Sequence, residues 1–131
     1  MNIELIIGIL NIVLISTTPL VFAGIGELVT EKSGVLNLGL EGLMLMGAVS
    51  GFIVLVLTGN YFFSFFASII SGMVLSLIFA FFVLNLLTNQ IATGLALTIF
   101  GIGLSAMLGK KFSGTPIDGL SPYYFITGSF L

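Results

Sequence analysis

Cysteine and histidine do not occur in the 131-residue sequence. Their absence excludes disulfide bonds and thiolate chemistry, and it removes the usual ligands of zinc and haem. We therefore expect neither a metal site nor a cofactor. The few carboxylates are scattered, so no pair of nucleophile and general base can be recognised, and we do not expect an enzyme.

Charged residues are also scarce, with three Lys and Arg and five Asp and Glu in the whole chain. The sequence has no basic arm or patch, which argues against a nucleic acid partner. It also lacks the G-x-x-x-x-G-K-[ST] phosphate-binding loop. Hydrolysis of ATP would therefore have to take place in another chain.

Hydrophobic residues make up 58% of the chain and charged residues 6%, with a mean hydropathy of +1.31. Soluble domains carry about 25% charged residues. No charged residue occurs between positions 42 and 109, a run long enough for nearly three membrane spans of about 20 residues each. These features predict an all-α, polytopic membrane protein with the lipid bilayer as its solvent.

Four transmembrane helices fit into one membrane domain, residues 1–131. The predicted spans cover about 5–28, 35–57, 61–84 and 91–108, and a loop and tail follow over 109–131. The only early charge is Glu4, whereas a secretory signal peptide begins with positive charge. We therefore interpret the first apolar stretch as a retained span.

The second span is predicted to be broken near its start. Gly34, Gly39 and Gly42 each weaken a helix by about 1 kcal/mol relative to Ala, and Asn37 favours local backbone hydrogen bonds. Irregular backbone at membrane depth survives only where it is buried in protein or lines a cavity. Transporters often place such broken helices beside their solute sites.

Glu41 is the residue that this segment leaves unexplained, because a carboxylate is costly inside a membrane. Three explanations remain open. The residue could lie at the wet end of a shorter helix that begins near Leu43. It could point into a polar cavity on the permeation path, or it could be buried against another helix as a structural hydrogen-bonding group.

Small residues recur every three or four positions on three of the spans, which is typical of close helix packing in membranes. One such row could instead line a solute path. The predicted helix-packing residues are Gly47, Gly51, Ser64, Ser68, Gly72, Ser76, Gly94, Thr98, Gly101 and Ser105.

Two stretches of the chain resemble a known family. "PLVFAGIGELVTEKSGVLNLGLEGLMLMGAVSGF" at 19–52 and "NQIATGLALTIFGIGLSAMLGKKFSGTPIDGL" at 89–120 look like segments of bacterial ABC importer permeases for simple sugars and nucleosides. This group includes branched-chain amino acid and ribose permeases, and the chain is most similar to its nucleoside-uptake, BmpD-like branch. Such permeases are about twice as long, so the resemblance implies an N-terminal half and a truncated tail.

The resemblance implies a multi-pass subunit of the bacterial inner, or cytoplasmic, membrane that transports a small-molecule solute. Its expected partners are a second permease subunit, a cytosolic ATP-binding subunit and an extracytoplasmic solute-binding protein. The positions carried over as translocation-path or structural residues are Gly34, Asn37, Gly39, Glu41, Gly42, Asn89 and Gln90.

Two other functions remain open from the sequence. Glu41 could be the titrating group of an ion- or proton-coupled carrier, or the chain could be a small membrane assembly protein without a transport role. Four spans also enclose little space, and ligand pockets commonly measure about 300–1,000 Å³. We therefore expect any solute site to need a partner chain or further helices.

Overall fold

The computed structural model describes residues 3–117, and the regular elements in this range are all helical. The four long helices are α1 (Ile3–Lys32), α2 (Leu40–Thr58), α3 (Tyr61–Ala80) and α4 (Gln90–Gly109). A π-helical turn over Phe81–Asn85 extends α3, and a short 3-10 helix over Lys110–Phe112 extends α4. All four helices are long and apolar enough to cross a membrane. The all-α prediction is confirmed, and the predicted tail beyond residue 117 lies outside the described residues.

The helix α1 continues to Lys32, four residues beyond the predicted end of the first span. It ends in a pair of backbone hydrogen bonds in which Gly34 N donates to Glu31 O and Val35 N donates to Thr30 O. This is a Schellman motif, which needs a residue in the left-handed region, and Gly34 has a φ of 86°. The chain turns after this point, and Asn37 N reaches the side chain of Glu27 near the end of α1.

Residues 33–39 are not helical, and α2 begins at Leu40. The predicted second span therefore has its break where expected, but its helical part starts five residues later than position 35. We call residues 33–39 the linker. Gly39 precedes the first residue of α2, and no side chain caps that helix end.

Asparagine side chains mark the starts of the next two helices. Asn60 Oδ1 accepts a hydrogen bond from Phe62 N at the start of α3, and Asn89 Oδ1 accepts one from Ala92 N at the start of α4. Asparagine is among the preferred residues for this position because it satisfies an otherwise free backbone donor. Asn89 is thus a helix cap.

The helix α2 packs against both α3 and α4, whereas α3 and α4 make few contacts with each other. The buried core is small and consists of Met46, Leu75, Phe79, Val83 and Leu97. No residue of α1 is buried, and this helix contacts the rest of the described chain near its C-terminal end. Its apolar surface therefore faces lipid or another protein.

Candidate functional site

The linker between α1 and α2 is held by side chains from other parts of the chain. Gln90 reaches it from the start of α4, where its Oε1 accepts a hydrogen bond from Leu36 N at 2.8 Å. The Gln90 Nε2 group donates to Gly34 O at 3.5 Å. A non-helical backbone in a membrane bundle needs such partners, because its N–H and C=O groups are not paired within a helix.

Glu27 supports the linker from α1. Its Oε1 atom accepts a hydrogen bond from Asn37 N at 2.9 Å, and its side chain is half-buried. Hydrogen bonds to an ionised acceptor are about twice as strong as neutral ones. Glu27 was not among the site residues predicted from the sequence, because it lies at the end of the predicted first span and outside the glycine-rich segment 34–42.

Asn37 lies at the centre of the linker and is only 7% exposed. Its Oδ1 atom accepts a hydrogen bond from Gly39 N at 2.9 Å, which forms a local turn just before α2. Thr98 of α4 completes the support by donating its hydroxyl to Leu38 O at 2.8 Å. Three side chains from α1 and α4 and one from the linker itself therefore fix this backbone.

Glycines allow α4 to approach both α2 and the linker very closely. A Cβ atom on Gly101 would lie 2.6 Å from Gly42 Cα, and a Cβ atom on Gly94 would lie 2.8 Å from Leu38 N. Gly39 has Leu97 and Asn37 as equally close neighbours. The structure therefore brings Gly39, Gly42, Gly94 and Gly101 together at one helix crossing.

Glu41 lies apart from this network. It is in the first turn of α2, its side chain is exposed, and no hydrogen bond or ion pair joins its carboxylate to another residue within 3–117. A negative charge in this position is favoured by the dipole of α2. The first explanation placed Glu41 before a shorter helix that begins near Leu43, whereas α2 begins at Leu40 and includes Glu41. Glu27, and not Glu41, is the carboxylate that supports the linker.

The small residues of α2 and α3 meet over only part of their length. Ser64 Oγ donates to Gly51 O at 2.8 Å, a Cβ atom on Gly47 would lie 3.6 Å from Ser68 O, and the Ser50 and Ser71 hydroxyls lie 2.7 Å apart. Further along α3, a Cβ atom on Gly72 would meet nothing within 4 Å. Gly72 and the exposed Ser76 therefore face open space, and Ser105 on α4 donates to Ile102 O of its own helix.

Two cavities adjoin α3. The first, of about 530 Å³, separates α3 from α4 and is lined almost entirely by apolar residues, including Phe79, Phe82 and Phe100. The second, of about 660 Å³, lies between the linker region and α3. We call the second cavity the linker groove. Its lining includes Asn37 from the linker, and Ser68, Gly72 and Ser76 from α3.

The described residues offer no cluster that could bind a metal ion: residues 3–117 contain no group of three or more His, Cys, Asp or Glu side chains close enough. The side-chain hydrogen bonds of Glu27, Asn37, Gln90 and Thr98 instead go to backbone groups of the linker. This arrangement fixes the linker backbone beside the groove.

Comparison with known proteins shows the family of this chain. The family model for the permease component of branched-chain amino acid transport systems matches residues 9–131. The chain belongs to this permease family. No solved structure matches it.

Several relatives of this permease chain are named as subunits of ABC transporters. It is 42% identical over 95% of its length to a Haloferax volcanii protein named "Putative glucose ABC transporter permease protein". It is 29% identical over 83% of its length to a guanosine ABC transporter permease of Bacillus subtilis. It is 33% identical over 76% of its length to a nucleoside ABC transporter permease of Lactococcus lactis. The chain spans 33–38% of the length of these relatives.

Proposed function

We propose that this chain forms part of the transmembrane permease subunit of an ABC-type importer for nucleosides or simple sugars. The family match over residues 9–131 carries the proposal. The structure supports it through a non-helical linker that is held among apolar helices and borders a groove. Irregular backbone of this kind is found beside solute sites in transporters.

The proposed assembly contains a second permease subunit, a cytosolic ATP-binding subunit and an extracytoplasmic solute-binding protein. The chain contributes a pathway, and ATP hydrolysis takes place in the ATP-binding subunit, because this sequence has no phosphate-binding loop. We place it in the cytoplasmic membrane of a bacterium. The exposed apolar surface of α1 is available to face lipid or the partner permease.

The proposal is tested by deleting the gene that encodes the chain and measuring uptake of radiolabelled glucose and guanosine. We expect uptake of one of these solutes to be lost and then restored by the wild-type gene. An affinity tag on the restored protein should recover an ATP-binding subunit from detergent extracts. Unchanged uptake of both solutes and no recovered ATP-binding subunit would contradict the proposal and favour an assembly role.

Glu41→Gln separates ATP-driven import from a proton-coupled carrier. Because the Glu41 carboxylate has no partner within residues 3–117, we expect the variant to retain uptake with an unchanged pH profile. Uptake should also persist when a protonophore collapses the proton gradient in cells with maintained ATP. Loss of pH-dependent uptake in Glu41→Gln, together with sensitivity to the protonophore, would identify a proton-coupled carrier.

A further inference from the structure

The side-chain amide of Asn37 makes a hydrogen bond through its oxygen but not through its nitrogen within residues 3–117. Its Oδ1 atom accepts the hydrogen bond from Gly39 N, whereas no acceptor within residues 3–117 receives a hydrogen bond from its Nδ2 group. The residue is more than nine-tenths buried. In the described range, every side-chain nitrogen or oxygen that is fully buried has a hydrogen-bond partner. The Nδ2 group therefore keeps accessible surface, and Asn37 lines the linker groove.

The side of the groove that α3 forms carries small residues. Gly72 leaves open space where a side chain would stand, and Ser76 carries a hydroxyl that makes no hydrogen bond within residues 3–117. The groove measures about 660 Å³, within the usual range of about 300–1,000 Å³ for ligand pockets. Apolar residues such as Met73 and Leu77 provide the remaining surface.

We propose that the linker groove contacts the transported solute, and that Asn37 Nδ2 donates a hydrogen bond to an oxygen of a polyhydroxyl solute such as a sugar ring or a ribose. The Ser76 hydroxyl faces the same space from α3. This proposal rests on the proposed function and adds to it the place of contact. Met73 and Leu77 are exposed in the chain, so the partner permease or further helices would close the groove.

A larger residue at Gly72 tests the proposal because its side chain would extend into the groove. A Cβ atom at this position meets nothing within 4 Å, and the same is true of Gly103 on α4, which lies outside the groove. Gly103→Val is therefore the matched control for Gly72→Val. Both variants add the same side chain at an open glycine of an α-helix.

We expect Gly72→Val to lower the maximal rate of solute uptake by about tenfold or more, the scale on which pockets discriminate single methylene groups. Gly103→Val should stay within about twofold of wild type. The solute concentration for half-maximal uptake should not change, because the separate binding protein would capture the solute. Recovery of the ATP-binding subunit with the tagged chain should be equal in both variants.

Asn37→Asp provides a second measurement that keeps the turn and removes the donor. Its carboxylate can still accept from Gly39 N, so the folded variant, checked by circular dichroism and membrane abundance, should lose uptake as Gly72→Val does. If Asn37→Asp does not fold, Gly72→Val decides the question alone.

Uptake by Gly72→Val equal to that of Gly103→Val would overturn the groove proposal and leave the importer proposal intact. Loss of the ATP-binding subunit in Gly72→Val alone would also overturn it, because the groove would then be a protein interface. Failure of the wild-type gene to support any uptake would instead count against the proposed function itself.

Discussion

Gly101→Leu is expected to destabilise the helix bundle by about 3 kcal/mol, the upper end of the usual cost of overpacking. The new Cβ atom would lie 2.6 Å from Gly42 Cα and 2.7 Å from Gly42 O. Both atoms belong to the backbone, so α2 and α4 would have to move apart. The free energy of unfolding can be measured by titrating detergent-solubilised protein with sodium dodecyl sulfate and following the circular dichroism.

Gly103→Leu is the control for this prediction. It lies two residues further along α4, and a Cβ atom there meets nothing within 4 Å. We expect it to be neutral or slightly stabilising, because Gly in a helix interior costs about 0.5–1 kcal/mol relative to residues with a side chain. Equal destabilisation by the two variants would show that α2 and α4 do not cross at Gly42 and Gly101.

Glu27→Ala is expected to cost about 1–3 kcal/mol of unfolding free energy, the penalty for a donor left without its partner. The variant removes the acceptor of Asn37 N, and Asn37 lies nine-tenths buried. Glu27→Gln keeps an acceptor oxygen and should recover most of the stability. The same titration measures all three proteins.

Glu31→Ala supplies the matched control on the same helix. Glu31 is exposed and its carboxylate makes no hydrogen bond within residues 3–117, so its removal should change the unfolding free energy by less than about 0.5 kcal/mol. A loss in Glu31→Ala as large as that in Glu27→Ala would point to the charge of this region, and not to the hydrogen bond, as the source of stability.

The membrane class and the break before α2 could be predicted from the sequence because both depend on local composition. The uncharged run over 42–109 predicts membrane spans because it is much longer than the 18 residues that indicate one spanning helix. Glycines at 34 and 39 and Asn37 disfavour helix over the same few residues, and the linker lies there. These signals needed no knowledge of tertiary contacts.

The local sequence could not show which of the two carboxylates, Glu27 or Glu41, supports the linker. Glu41 stands inside the conspicuous glycine-rich motif, whereas Glu27 lies ten residues before the backbone group it binds. Glu27 and Asn37 meet because the chain turns after α1 ends at Lys32, so the contact joins residues on two different segments. Gln90 was expected to matter, but its contact with Leu36 spans 54 residues and depends on how α4 packs.

The contacts of the small residues of α3 also could not be predicted from the sequence. Ser64, Ser68, Gly72 and Ser76 are equally spaced in the sequence, so each was predicted to pack against a helix. In the structure Ser64 and Ser68 lie against α2, and Ser68 also lines the linker groove, whereas a Cβ atom on Gly72 would meet nothing within 4 Å and Ser76 is exposed in the groove. Spacing places these residues on one face of the helix, and the packing of α2 against α3 decides which of them are covered.

Side chains from α1 and α4 hold the non-helical linker through hydrogen bonds to its backbone. Amide hydrogen exchange of the micelle-solubilised chain, followed by NMR at single residues, measures this support at each backbone N–H. We predict that the amides of Leu36 and Asn37 are protected, that Glu27→Ala accelerates exchange at Asn37 but not at Leu36, and that Gln90→Leu does the reverse. Fast exchange at both amides in the wild-type protein, or no response to either substitution, would show that Glu27 and Gln90 do not hold the linker.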